Sequence, residues 1–337
     1  MRRRAWATGA RGALSRGLCI ALALAGPAAA AGPDDRPECV VPAKAGGGFD
    51  LTCQLVQAML QSTPRPAGAP PMRLSYLPGG IGAVAFEAAV NRRPADGNAV
   101  VAFSAGSLLN LAQGKFGAHT ERDVRWLAAV ATDYGVIAVA RDSPYRNLGE
   151  LVAALKARPS GVVIGAGGTI GSQDWVKAAM LARAAGVSHR IIRFVAFEGG
   201  GDALSALEGG HVQVFTGDAA EVAQHLKRSA GVRVLAVLAP QRLPGPLARV
   251  PTALEQGFDL QWATARGLYM GRDVPPEAFR QWQQLLERAQ RSPEHARQLQ
   301  AVGLYPFWRS GPELDEFIAQ SMARYRGLAA EFELRIR

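Results

Sequence analysis

The feature that most constrains this chain is a unit written twice. An apolar strand candidate, Val40 to Ala43, runs into Gly46-Gly47-Gly48, and a helix candidate begins near Asp50. A second strand, Arg73 to Leu77, meets Pro78-Gly79-Gly80 and the helix GAVAFEAAV; a turn from Pro94 to Asn98 then leads to the strand AVVAF and the loop Ser104-Ala105-Gly106-Ser107. The plan recurs. The strand GVVIG, Gly161 to Gly165, enters Ala166-Gly167-Gly168-Thr169-Ile170-Gly171 ahead of a helix opening at Ser172. The strand IIRFVAF then meets Glu198-Gly199-Gly200-Gly201 and the helix DALSALEGG. Gly46 and Gly79 are 33 residues apart, and so are Gly167 and Gly200. Strands alternating with helices predict an α/β fold with parallel sheet. The duplication predicts two similar domains.

Between the units lie a strand, YGVIAVA, and a helix whose cap is Asn147 with Glu150 three residues on. After the second unit come a strand, VRVLAVLA, a Pro-rich loop from Pro244 to Pro251, and two amphipathic helices. One carries Phe279, Trp282, Leu286 and Ala289 on a single face. The other opens at Ser310 with Pro312 and Glu313 and carries Leu314, Phe317 and Ile318. These stripes read as core packing.

Loops at the carboxyl ends of parallel strands are where α/β proteins hold ligands. A helix start offers unpaired N–H donors and a positive dipole end, and glycines let an anion approach them. The glycines are therefore expected to face an anion, with Ser104 and Ser107 as hydroxyl donors or helix caps.

Two enzymatic or nucleotide readings compete. Gly165 to Gly171 reads G-x-G-x-x-x-G between a strand and a helix, and Glu198 ends the next strand, as in a dinucleotide site. The glycine spacing is one residue too long, however, and Glu198 is 33 residues from Gly165 where about 20 is expected. A P-loop motif is absent. Ala102-Phe103-Ser104-Ala105-Gly106 nearly matches the G-x-S-x-G of serine hydrolases, with Ala102 at the sterically tight first position. An exported hydrolase using Ser104 is the alternative to a binding protein.

The N-terminus bounds the compartment. Arg2, Arg3, Arg4, Arg11 and Arg16 precede the apolar run Leu18 to Leu24, and Ala28 to Ala31 follow. That order predicts a secretory signal over residues 1–31, cleaved near Ala30. Its removal takes five arginines and no acidic residue, so the net charge falls from +10 to +5. No basic block with interleaved aromatics remains, and nucleic acid is not an expected partner. A mildly cationic surface suits small anions. Cys19 leaves with the signal. Cys39 and Cys53 remain, and a bridge between them is admissible in an exported chain. The reach from strand to helix leaves that question open. His119, His189, His211, His225 and His295 form no local cluster, so no metal or other cofactor is expected.

The segments PAKAGGGFD (Pro42 to Asp50), YLPGGIGAVAF, ADGNAVVAF, GAGGTIGSQDW, VAFEGGGDALSALEGGHVQVFTGD and RVPTALEQGF resemble, in order and over the whole mature chain, the periplasmic receptors of tripartite tricarboxylate transporters, the Bug family. The resemblance implies a two-lobed clamshell of the periplasmic-binding-protein (Venus flytrap) type, each lobe a sheet flanked by helices. It implies a monomeric receptor, not an enzyme, that passes a small organic acid to membrane permease subunits. The match is closest to the tricarboxylate receptors, with citrate as the expected ligand and a dicarboxylate as the alternative. The chain is expected to cross between lobes near Tyr134 and return near Ala239. Residues 32–132 and 240–337 then form one lobe, and 133–239 the other.

In the first loop Pro42, Gly46, Gly47 and Asp50 match the family's motif, Ala43 and Ala45 stand where it carries an aromatic residue and a proline, and Lys44 adds a cation; Lys44, Gly46, Gly47, Gly48, Phe49 and Asp50 are the expected ligand residues here. Gly79 and Gly80 join them from the second loop. The other lobe is expected to supply Gly167, Gly168, Thr169, Gly171 and Ser172, then Gly199 and Gly200, and Asp218 at the family's acidic position. Arg193 and Arg266 are further candidate carboxylate partners without a motif behind them.

Overall fold

The structure is a computed structural model that describes residues 36–334. The expected signal segment lies outside the described residues. Element order follows the repeat. The first unit is β1 (Glu38–Val41), α1 (Gly48–Ser62), β2 (Arg73–Tyr76), α2 (Ala83–Glu87), β3 (Ala99–Ser104) and α3 (Ala105–Ala112). A long strand β4 (Val124–Ala140) and helix α4 (Leu148–Ala157) follow. The second unit is β5 (Val163–Gly167), α5 (Gln173–Ala184), β6 (Arg193–Phe197), α6 (Gly200–Glu208), β7 (Val214–Asp218) and α7 (Ala219–Leu226), closed by β8 (Val232–Val237). The chain ends with β9 (Ala263–Gly271), α8 (Pro276–Gln290), α9 (His295–Val302), β10 (Arg309–Ser310) and α10 (Gly311–Glu331).

The strands run in the order β2-β1-β3-β9-β4-β7-β5-β6, with β8 and β10 also on β4. The repeat is visible in this order: β2-β1-β3 in one wing corresponds to β6-β5-β7 in the other. Within each wing β1 and β5 pair in parallel with their neighbours. The sheet as a whole is mixed rather than parallel, because β9 and β4 run antiparallel to what they touch. β4 is common to both wings. It pairs with β9 from Val124 to Tyr134 and with β7 from Gly135 to Ala138.

Local chemistry sets several boundaries. Asn147 caps α4 by accepting from the Glu150 N–H, as its sequence position predicts. The expected helix over GAVAFEAAV forms from Ala83, directly after Gly79, Gly80, Ile81 and Gly82, which all have positive φ, and it widens into a π-helical turn from Ala88 to Arg92. Ile81 at φ 52° is a β-branched residue in the left-handed region, which costs about 1–3 kcal/mol. Phe279, Trp282, Leu286 and Ala289 of α8 are buried against α1, and Leu314 and Ile318 of α10 are buried in the other layer, where α10 packs on α3 and β4. Cys39 and Cys53 are bridged, with their Cα atoms 5.7 Å apart. β1 stops at Val41, two residues beyond Cys39, and α1 folds straight back over it, so the reach is short.

Candidate functional site

A cleft of about 440 Å³ lies where the glycine loops of the two wings meet. That is room for a small organic molecule. The structure brings together Lys44, Phe49, Gly79, Gly80 and Ser104 from the first wing with Gly167, Gly168, Thr169, Ser172, Gly199 and Gly200 from the second. Ile81, Asn110, Lys115, Gln173, Asp174, Glu198 and Glu221 line it as well. Contacts cross it. Lys115 Nζ donates to the Ile170 carbonyl at 2.9 Å, and Gln113 Nε2 to the Gly171 carbonyl at 2.7 Å. Lys44 Nζ lies 3.9 Å from Glu198. Both of those side chains are largely exposed, so that pair contributes little.

Other expected residues sit off the cleft, each for a visible reason. The Gly46 N–H donates to Asp50 Oδ2 at 2.7 Å. Asp50 is buried and also accepts from Gln54 and from the Tyr76 hydroxyl, so it braces the loop. The Gly48 N–H is taken by Glu221 Oε1 at 3.1 Å, not left for a ligand. Gly47 has φ −96°, so the positive φ of this loop belongs to Gly46, at +92°. Gly48 is glycine for lack of space: a Cβ there would lie 2.1 Å from Arg266 Nη1. Among the described residues no acceptor bonds the Gly47 N–H. Ser107 is buried and accepts from the Ser104 N–H, completing a capping box on α3. Gly171 offers its carbonyl to Gln113 rather than its amide to the cleft.

Asp218 and Arg266 lie beneath the floor. Arg266 Nη2 bonds Asp133 Oδ2 at 2.7 Å and Asp218 Oδ2 at 2.9 Å, and all three side chains are buried. Lys177 Nζ, also buried, reaches Asp218 Oδ1, Asp174 Oδ1 and the Gly217 carbonyl, each at 2.7 Å. Gln173 and Thr264 complete the shell of Asp218. Asp218 therefore holds the wings together and has no oxygen to offer a ligand hydroxyl. It stands at the start of α7 but makes no capping bond, because these donors take its carboxylate. Arg193 is exposed on the edge strand β6, at hydrogen-bond distance from the Ser160 carbonyl, and does not line the cleft.

The floor is crowded with carboxyls. Burial would raise Asp218, but Lys177 and Arg266 outweigh it and hold Asp218 below its ordinary value. Burial, opposed by Arg266, leaves Asp133 raised to about 6. Burial, opposed by Lys177, does the same for Asp174. Glu221 is pushed up to about 8 by burial and by the Asp218 and Asp174 carboxylates.

Sequence reasoning missed Glu221, although a signal was present. Asp218-Ala219-Ala220-Glu221 spells a D-x-x-E helix start, in the place where the first unit spells Ser104-Ala105-Gly106-Ser107. The two serines cap their helix. The two carboxyls are drawn elsewhere.

The hydrolase alternative lacks its parts. Ser104 Oγ accepts from the Gly106 N–H within the helix cap, and among the described residues no histidine bonds it. His119 stacks near Phe86, and His225 pairs with Glu208 at the far end of α7.

Comparisons with known proteins agree with this architecture. The model of the tripartite tricarboxylate transporter family receptor matches residues 78–334. A UPF0065 protein encoded in the tcbD-tcbE intergenic region of Pseudomonas sp. (strain P51) is 23% identical over 261 residues, which cover 76% of this chain and 75% of that protein. Among solved structures, a TctC solute binding protein from Polaromonas superposes with TM-score 0.63 at 25% identity, over 89% of this chain and 99% of that one. MatC from Rhodopseudomonas palustris, solved with bound malate, gives 0.75 at 21% identity, over 88% and 99%. Rpa4515 from R. palustris, solved with adipate, gives 0.79 at 20% identity, over 89% and 98%. The family consists of solute receptors, not enzymes. With three quarters of its length matched by the family model, this chain belongs to the tripartite tricarboxylate transporter receptor family.

Proposed function

We propose that the protein is a periplasmic receptor that captures a small organic acid in the cleft between two lobes and delivers it to the permease subunits of its transporter. The observation that carries this reading is the meeting of glycine loops from both wings around one cleft, with the N–H of Gly200 in the lining, and those of Gly47 and Gly201 beside it, left without a protein acceptor among the described residues. We take residues 32–132 with 240–337 as one lobe and 133–239 as the other, with the chain crossing in β4 near Tyr134 and returning after β8 near Ala239. Ligand contact with both lobes then favours the closed arrangement. Export through the N-terminal signal and a monomeric state belong to the same reading. No helix among the described residues is long and apolar enough to cross a membrane.

A tricarboxylate such as citrate is one ligand this reading admits. The lining supports a less charged acid better: two lysines, Lys44 and Lys115, face three carboxyls, Asp174, Glu198 and Glu221. Malate and adipate, the ligands of two structural relatives, are such acids. A thermal-shift screen of organic acids on the mature protein tests the reading, since a ligand that binds only the native state raises the melting temperature by mass action. A di-acid is expected to give the largest shift. No shift with any carboxylic acid overturns the reading. Solution scattering adds a second check: the bound protein should be more compact, without a change in mass.

A further inference from the structure

The fourth carboxyl of the floor has no cation left to pair with. Around Glu221, α5 presents Asp174 and Lys177, β7 presents Asp218, β9 presents Arg266 and β4 presents Asp133. The loop before α6 adds Glu198, which faces Lys44 at the cleft rim. The first turn of α6 carries Asp202, exposed to solvent. The start of α1 presents only its amides, because Asp50 is held away by Gly46, Gln54 and Tyr76. Lys177 and Arg266 each bind two of the three aspartates, so three anions already meet two cations before Glu221 is counted. Glu221 projects from α7 across the cleft. One oxygen accepts from the Gly48 N–H, and the other lies against Gly200, where a Cβ would come within 2.0 Å of it. It therefore stands between the two glycine-rich helix starts, at the place where a ligand carboxylate would seek N–H donors.

We propose that Glu221 is a specificity-determining residue of the cleft: a protonated carboxyl that accepts from Gly48 with one oxygen and donates its proton to a carboxylate of the ligand with the other. Capture of the acid then requires one proton on Glu221. Where Glu221 is already protonated, binding takes up nothing from solvent. Where it is ionised, each ligand bound takes up one proton, and affinity falls as pH rises. The burial and carboxylate neighbours that push Glu221 up to about 8 put the onset just above neutrality. The inference rests on the acid-receptor reading above.

The test is calorimetric titration of the mature protein with malate, adipate and citrate as probes, acids whose own charge changes little between about pH 7 and pH 9. Wild type should bind its best probe about tenfold more weakly at pH 9 than at pH 7. Repeating the titration at pH 9 in two buffers of different ionisation enthalpy should show close to one proton taken up per acid bound. Glu221→Gln, which keeps an acceptor for Gly48 and an N–H for the ligand, should flatten the profile and abolish the uptake, and Glu221→Ala should flatten it too. A flat wild-type profile overturns the inference without recourse to any variant. So does a slope that persists in folded Glu221→Gln, or a slope without proton uptake. Failure of every probe to bind at any pH is a different result, and overturns the acid-receptor reading itself.

Discussion

Two helix starts in this molecule are spelled almost alike and are used differently. Gly46-Gly47-Gly48-Phe49-Asp50 opens α1, and Gly199-Gly200-Gly201-Asp202 opens α6. At α1 two of the three glycine amides are already bonded to carboxyls, Asp50 from within the loop and Glu221 from 173 residues away. Its third glycine is pressed against the Arg266 guanidinium. At α6 no described residue accepts from Gly200 or Gly201, and a Cβ on Gly199 or Gly201 would meet nothing within 4 Å; only Gly200 is close-packed, against Glu221 Oε2. A glycine-rich helix start is thus a capacity to hold an anion. What fills it is decided by side chains that the local sequence does not contain.

The largest effect that would test this contrast is expected at Gly48. Gly48→Val drives a branched side chain into Arg266 and disturbs its bonds to Asp133 and Asp218, and breaking such a buried pair costs about 3–5 kcal/mol. Chemical denaturation should read that loss, and a near-normal stability would show the packing at α1 to be loose. A carboxyl outside the cleft supplies the next effect. Burial would raise Glu38 on β1, but its bonds to Arg93, Ser75 and Arg73 outweigh that and lower it to about 2. Its folded value lies below the unfolded one, so the stability it contributes is present above about pH 4.5 and is lost as pH falls toward 2. Glu38→Gln should cost about 2–3 kcal/mol at neutral pH, with the gap to wild type closing in acid. Glu221, raised instead of lowered, should run the other way. In a melting series, wild type should lose stability relative to Glu221→Gln as pH rises from about 4.5 through about 8.

A smaller effect separates ligand contact from packing. Gly47 is extended and its amide is free, so Gly47→Val should leave the fold intact and weaken acid binding about tenfold, close to 1.4 kcal/mol. Unchanged affinity in calorimetry would move the anion wholly to α6. The smallest effect is expected at Gly201→Ala. An open position in the first turn of a helix should change the melting temperature by only a degree or two, upward, since alanine favours helix by up to about 1 kcal/mol. A loss as large as at Gly48 would erase the contrast.

The repeat was legible in the sequence because glycines and apolar runs are local signals. The wings, their helices and most of the cleft-lining loops follow from it. The spine was not. β4 is 17 residues long, and only its second half, the short apolar run from Tyr134 on, reads as strand; Val124 to Asp133 carries Arg125 and Asp133 among its apolar residues. β9 hides for a similar reason, since Arg266 interrupts it and looks like a surface charge. Its partners Asp133 and Asp218 are 133 and 48 residues away, and that pairing exists only in the folded chain. Glu221 escaped because a D-x-x-E start reads as an ordinary cap, and what draws the glutamate away is the crowding of Asp174, Asp218, Lys177 and Arg266 around it.

The bridge between Cys39 and Cys53 makes one wall of the cleft a covalent ring. The ring runs up β1, through Lys44 and Gly46 to Gly48, and back down the first turns of α1. Its 14-residue span is short enough to close in an oxidising space before β4 or the second unit has formed. The wall can therefore be shaped before the rest of the cleft exists. In a reducing cytosol the tie would be absent, at a cost of about 3 kcal/mol in stability on the chain-entropy account. The contacts drawn in the finished cleft would be the same there, but the loop presenting them would be an open chain instead of a macrocycle, with more conformations to give up each time it meets its ligand.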